Sequence, residues 1–159
     1  MDKKDLMAAM RNSISEVLET MFFLPIDFLE AESFDALGPL KETETLAARL
    51  DFKGAFSGYC IFHIPKSVAA SISADFMGFE ESSLADDQIA GTVKEIANMV
   101  VGNTFSLLDE TRVFDLGVPQ LVASEEYHGG FPPSEKELLV GIQTLEDCLA
   151  FQMIVTINA

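Results

Sequence analysis

Few residues in this 159-residue chain could take part in chemistry. It has two histidines and two cysteines, and no pair of them is grouped as a metal centre requires. Cys60 and His63 stand three apart in a strand-like segment and so point to opposite faces, and no second Cys-x-x-Cys or His cluster supplies zinc with four ligands. No glycine-rich phosphate loop or nucleophile elbow is present. What remains is a carboxylate and a carboxamide, Glu95 and Asn98, inside the longest periodic segment of the chain, about Asp86 to Asp109. With that segment projected at about 100° per residue from Ile89, Val93, Ile96, Ala97, Val100, Val101, Thr104, Leu107 and Leu108 gather on one face, whereas Asn98 falls at about 180° and Glu95 at about 240°. The two side chains leave the helix side by side on its outward face. Gly91 and Gly102 lie on the same strip, one turn below and one turn above, and Phe105 borders it at about 160°. Glycine in a helix interior costs roughly 1 kcal/mol against alanine. A flat strip that lets another protein approach Glu95 and Asn98 would compensate. Solvated helix faces also carry Glu and Asn, and helix glycines also serve close packing or a bend, so periodicity alone leaves both readings open.

The elements that position this pair follow from spacing. Met7, Met10, Ile14, Val17, Leu18 and Met21 form the apolar stripe of an opening helix that Pro25 stops. A polar, irregular connection runs through Gly38-Pro39. Leu46 to Phe52 and Phe56 to Ile64 read as a hairpin around Lys53-Gly54. Pro65 starts a shorter helix carrying Val68, Ala69, Ile72 and Phe76, and Gly78 ends it. Ser83 and Asp86 resemble a capping box opening the long helix. Val113 to Ser124, Glu137 to Thr144 and Leu149 to Asn158 are strand-like, with turns at Gly129 to Pro133 and near Glu146-Asp147. Short turns between consecutive strands favour antiparallel pairing. The expected class is α+β: a mostly antiparallel sheet with two long helices and one short helix packed on one face. A helix followed by neighbouring strands occurs twice, which hints at an internal duplication.

Composition limits what this frame serves. The length suits one domain, residues 1–159, and 48% hydrophobic residues with 13 Phe can fill a core. Asp and Glu total 26 against 10 Lys and Arg, a net charge of −16. So negative a surface repels phosphate backbones and anionic lipid, which argues against nucleic acid and membrane as partners. No apolar run is long enough for a span, and the charged start Met1-Asp2-Lys3-Lys4-Asp5 is unlike a signal peptide. The expectation is a soluble, cytoplasmic protein with Cys60 and Cys148 as buried free thiols. Asp86 and Asp87 are read as the negative start of a helix, Glu80-Glu81, Glu125-Glu126 and Glu135 to Glu137 as solvated loop charges, and His128 beside Gly129-Gly130 as a turn residue.

The segment Val93-Lys94-Glu95-Ile96-Ala97-Asn98-Met99-Val100-Val101-Gly102-Asn103 closely resembles the active-site helix of the CheX/CheC/FliY family, phosphatases of the phosphorylated chemotaxis response regulator CheY. The likeness continues through Val17 to Met21, Phe56-Ser57-Gly58, Ile64-Pro65 and Gly78, covers most of the chain in the same order, and is nearest to CheX. It implies a CheC-like fold and hydrolysis of the phosphoaspartate of a CheY-like response regulator. Asn98 would orient the attacking water and Glu95 would grip a lysine of the regulator, with Gly91, Gly102 and Phe105 at the partner surface. A carboxamide is neutral and offers both donor and acceptor, so it can hold a water in line, and positioning suffices for an already labile acyl phosphate. The resemblance implies no cofactor or metal of the chain's own, Mg2+ on the regulator, and a homodimer. Gly91 stands where the family pattern has Asp or Ser, and Pro119 comes slightly earlier than the family's proline. Glu16 and Glu19 occupy the positions where a second Glu-x-x-Asn would stand, so one site per chain is expected, as in CheX. The alternative on the same fold is a non-catalytic module that binds a receiver domain or a flagellar-motor protein.

Overall fold

Residues 45–65 form the hairpin that their Phe- and Ile-rich runs predict. β2 (Thr45–Lys53) pairs antiparallel with β3 (Gly58–Pro65), Leu46 opposite Ile64 and Leu50 opposite Cys60. In the computed structural model, which describes residues 2–108 and 113–156, this hairpin is the middle of a seven-stranded sheet. β3 pairs on its other edge with β7 (Cys148–Thr156), β7 with β6 (Glu135–Gln143), and β6 with β1 (Asp27–Leu29). The outer edge of β2 takes β5 (Gln120–Ala123) along one stretch and β4 (Asp115–Leu116) at its end. Every one of these pairings is antiparallel. Gly58 permits the closest strand approach: a Cβ there would lie 1.9 Å from the Ile154 carbonyl oxygen.

Strand alternation divides the sheet into two faces. Ala48, Leu50, Phe52, Cys60, Phe62 and Ile64 meet Leu138, Val140, Phe151 and Met153 in the main core, and three helices close over it. They are α1 (Lys3–Ser15), which runs on as a π-helical turn over Glu16–Met21, α3 (Lys66–Met77) and α4 (Asp86–Leu108). Gly78 caps α3 in the left-handed conformation (φ 72), and the Phe79 N–H donates to the Ala74 carbonyl. No described helix is long and apolar enough to cross a membrane.

Several sequence expectations are corrected. The connection read as irregular contains β1, a 3-10 turn (Phe34–Leu37) and the one-turn α2 (Gly38–Lys41). Phe34, Leu37 and Leu40 pack on Leu139, Cys148 and Ala150 on the sheet's other face, so helical structure is not confined to one side. Val113 to Ser124 is two short strands, because Pro119 has no N–H to continue a ladder and Gly117 donates instead to the Asp51 carbonyl at 2.8 Å. The Ser83 hydroxyl donates to the Glu80 carbonyl and takes no part in capping α4; Gln88 does, accepting from the Ala85 N–H at 2.8 Å. Met21 is 45% exposed because the π turn rotates it off the stripe, and Leu107 is exposed beyond the edge of the core. Asp109 and Asn158, the expected ends of α4 and β7, fall outside the described residues.

Candidate functional site

α4 owes its orientation to the burial of Ile89, Thr92, Val93, Ile96, Ala97, Val100, Val101 and Thr104 against the sheet and α1. Two hydrogen bonds fix its rotation relative to α1. The buried Ser13 hydroxyl donates to the Val100 carbonyl at 2.7 Å, and Asn103 donates to the Glu16 carboxylate at 3.0 Å. Thr104 also donates to the Val100 carbonyl, at 2.6 Å, so that oxygen, two residues beyond Asn98, is drawn toward two hydroxyls.

With the apolar arc turned inward, Gly91 and Glu95 are exposed and Asn98 is half-buried on the opposite side. The side chain of neither Glu95 nor Asn98 forms a hydrogen bond or ion pair with another described residue. Both therefore present their full bonding capacity outward: two carboxylate oxygens as acceptors on one, a donor and an acceptor on the other. Space at Gly91 is open, since a Cβ there would meet nothing within 4 Å, so no packing within the chain demands a glycine. Gly102 differs: it is half-buried, and its Cβ position lies 3.9 Å from a Leu116 methyl, so the strip ends against β4.

Phe105 does not border the strip, as its helical angle predicted. It is 6% exposed and stacks on Phe114 with ring centroids 4.0 Å apart and planes 8° from parallel. Phe52 and Phe56 meet it edge-on. Segment 113–116 covers that flank of α4, so Phe105 is a core residue and its partner-binding assignment is withdrawn. On α1, Glu16 is held by Asn103 and Glu19 accepts from Ser15, so no amide stands where a second site would need one.

Two cavities formed by described residues lie elsewhere. One of about 360 Å³ is lined by Arg49, Asp51, Gly117, Val118, Gln120 and Val122, and another, of about 430 Å³, lies between α3 and the turn joining β6 to β7. Neither is lined by Glu95 or Asn98. No group of three or more His, Cys, Asp or Glu among the described residues could hold a metal ion. Cys60 and Cys148 are free and buried, and burial raises both thiol pKa values.

One polar constellation is not evident from the sequence. On the face of the sheet away from the helices, buried His63 meets Ser124 through Nδ1 at 2.7 Å and Gln152 Oε1 through Nε2 at 2.5 Å. Gln152 donates its amide protons to the Tyr127 carbonyl at 2.7 Å and the Glu137 carboxylate at 2.6 Å; Glu135 and Glu137, expected as solvated loop charges, instead open β6 and are half-buried. That orientation makes Gln152 Oε1 the acceptor, so His63 donates from Nε2 and receives the Ser124 hydroxyl proton at Nδ1. Burial lowers the His63 pKa to about 4, with a smaller push from His128; the Gln152 bond opposes the shift. His128, read as a turn residue, stacks on Phe34 at 4.0 Å. The available signal was two polar residues, His63 and Gln152, in otherwise apolar strands.

Comparison with known proteins fits this architecture. A family model described as "Chemotaxis phosphatase CheX" matches residues 46–142, from β2 into β6 and across the whole of α4. No curated protein matches. Among solved structures, a CheC-like superfamily protein from Shewanella sp. PV-4 superposes with a TM-score of 0.77 at 16% identity, covering 98% of this chain and 99% of that one. Chemotaxis protein CheX from Vibrio vulnificus gives 0.73 at 17% identity, covering 94% and 95%. CheX in the CheX–CheY–BeF3–Mg2+ complex from Borrelia burgdorferi gives 0.66 at 14% identity, covering 96% and 97%. At these identities the superpositions establish a shared fold, α+β with an antiparallel sheet. With the family model spanning more than half its length, the chain belongs to the CheX family of chemotaxis phosphatases.

Proposed function

We propose that this protein hydrolyses the phosphoaspartate of a CheY-like response regulator. The observation that carries the reading is the pair Glu95 and Asn98, unpartnered and outward-facing on the helix at the centre of the family match. Its outward-facing setting, with Gly91 exposed one turn before Glu95, leaves it open to another protein. Asn98, neutral and able both to donate and to accept, holds a water in line with the phosphorus. The water oxygen forms a bond to phosphorus as the bond to the aspartyl oxygen breaks, giving inorganic phosphate and a free carboxylate, with the surplus proton passing to solvent. Glu95 supplies the anion that a lysine of the regulator grips, and Mg2+ belongs to the regulator. The Borrelia CheX structure, which contains CheY, BeF3 and Mg2+, supports a partner of this kind.

The acidic surface favours encounter with a basic rim, faster at low salt. A homodimer is carried over from the resemblance, and sedimentation equilibrium tests it.

Gly91, open to solvent where the family pattern has Asp or Ser, favours a second reading, a binding module without turnover. The FliM middle domain from Vibrio alginolyticus has a similar fold, with a TM-score of 0.59 at 7% identity and coverage of 96% of this chain and 92% of that one. Phosphate release from a phosphorylated receiver separates the two. Native protein accelerates release, Asn98→Ala abolishes the acceleration, and Glu95→Ala mainly raises KM. Binding without acceleration establishes the module.

A further inference from the structure

We infer that Met21, Phe23, Phe76 and Phe79 form an apolar docking surface for the same receiver domain, beside the helix that carries Glu95 and Asn98; this rests on the phosphatase reading above. The segment leaving α1 departs from regular geometry twice. Its last turn is π-helical, closed by the Phe22 N–H to the Val17 carbonyl at 3.2 Å, and this rotation turns Phe22 inward and Met21 outward. Phe23 then takes a φ of 54, the one positive value among described non-glycine residues, and is 84% exposed. A bulky aromatic in the left-handed region is unfavourable, and a large apolar ring in water gains nothing for the isolated fold. Irregularities of both kinds concentrate at functional sites. Phe76 lies next to this segment, its ring 4.8 Å from that of Phe22, and the left-handed cap at Gly78 sets Phe79 at the same end of α3. All four side chains are substantially exposed, and the π turn packs against α4.

Charge selects the occupant. The charged residues of 11–24 and 73–94, the stretches that carry the patch, are mostly acidic: Glu16, Glu19, Asp75, Glu80, Glu81, Asp86 and Asp87 against Arg11 and Lys94. A second copy seated on this patch would set acid against acid, in a chain already carrying −16. The matching surface has an apolar centre and a Lys- or Arg-bearing rim. The receiver that offers a lysine to Glu95 is the partner whose approach to α4 brings it over this patch.

The test is phosphate release against receiver concentration, over a panel of phosphorylated CheY-like receivers from the host, for native protein and for Phe23→Ser, Phe76→Ser and Phe23→Gly. Each variant raises KM about tenfold with kcat unchanged; Phe23→Ser costs no thermal stability, Phe76→Ser lowers it slightly through the lost contact with Phe22, and Phe23→Gly is more stable because glycine accepts the left-handed conformation. Unchanged KM in all three overturns the docking surface while leaving the phosphatase reading intact. If native protein binds a receiver without accelerating release and Phe23→Ser weakens that binding about tenfold, the surface stands and the turnover reading falls. A native dimer that Phe23→Ser dissolves at unchanged receiver affinity assigns the patch to a second copy and overturns the proposal, as does failure to bind any receiver.

Discussion

Acidification should destabilise this fold through one side chain. His63 is fully buried and neutral, donates to Gln152 and accepts from Ser124. A second proton would make both ring nitrogens donors and turn the Ser124 hydroxyl proton away from His63, toward the longer contact with His128 Nε2 at 3.3 Å, and it would place a charge in a buried site. The folded-state pKa is about 4 against 6.5 for a free imidazole, so between these values the unfolded chain binds a proton that the folded chain refuses. Stability from this source is complete above pH 6.5 and is lost as the pH falls toward 4. At 1.36 kcal/mol per unit the loss is about 3 kcal/mol, or about 6–12 °C in Tm for a chain of this length. Glu137, whose carboxyl pKa is raised by burial, acts in the opposite direction, gaining stability on protonation. Comparison with His63→Gln cancels that term, because the variant keeps every carboxylate and can both donate and accept. Urea unfolding of the two proteins from pH 8 to pH 4 gives the difference directly. Native protein should lose about 3 kcal/mol relative to the variant across the window, and parallel curves would refute the buried neutral imidazole.

Three substitutions test the packing. Gly91→Ala meets open space and should raise stability by about 0.5–1 kcal/mol in thermal unfolding. Gly58→Ala should cost on the order of 3 kcal/mol in urea unfolding, since its Cβ would fall 1.9 Å from the Ile154 carbonyl oxygen and β3 and β7 must part. Phe105→Ala should lower stability by about 3–5 kcal/mol, a loss that an exposed residue would not produce.

What the sequence makes legible here depends on period and punctuation. The hairpin, the Pro65 and Gly78 boundaries of α3 and the inward arc of α4 each follow from a local rule, and the structure has them at those residues. Phe105 was misread because a helical angle states where a side chain leaves the axis, not what the chain later folds against it; Phe114 covers it from nine residues away. Met21 was misread because a π turn changes the period on which the stripe was counted. β1 was hidden because three residues cannot display an alternation, and their pairing is set by β6, far along the chain. The His63 network joins β3 to β7 and the turn after β5, and no spacing along one segment encodes it.

Because Glu95 and Asn98 stand on the outward side of α4 and line neither of the two cavities described above, a group reacting beside them in the isolated molecule would not be shielded from bulk water. Any reaction vessel must be assembled from two halves, and its lifetime is that of the encounter. Small free acyl phosphates then gain little from this surface alone, and the rate in a cell scales with how often the correct second half arrives.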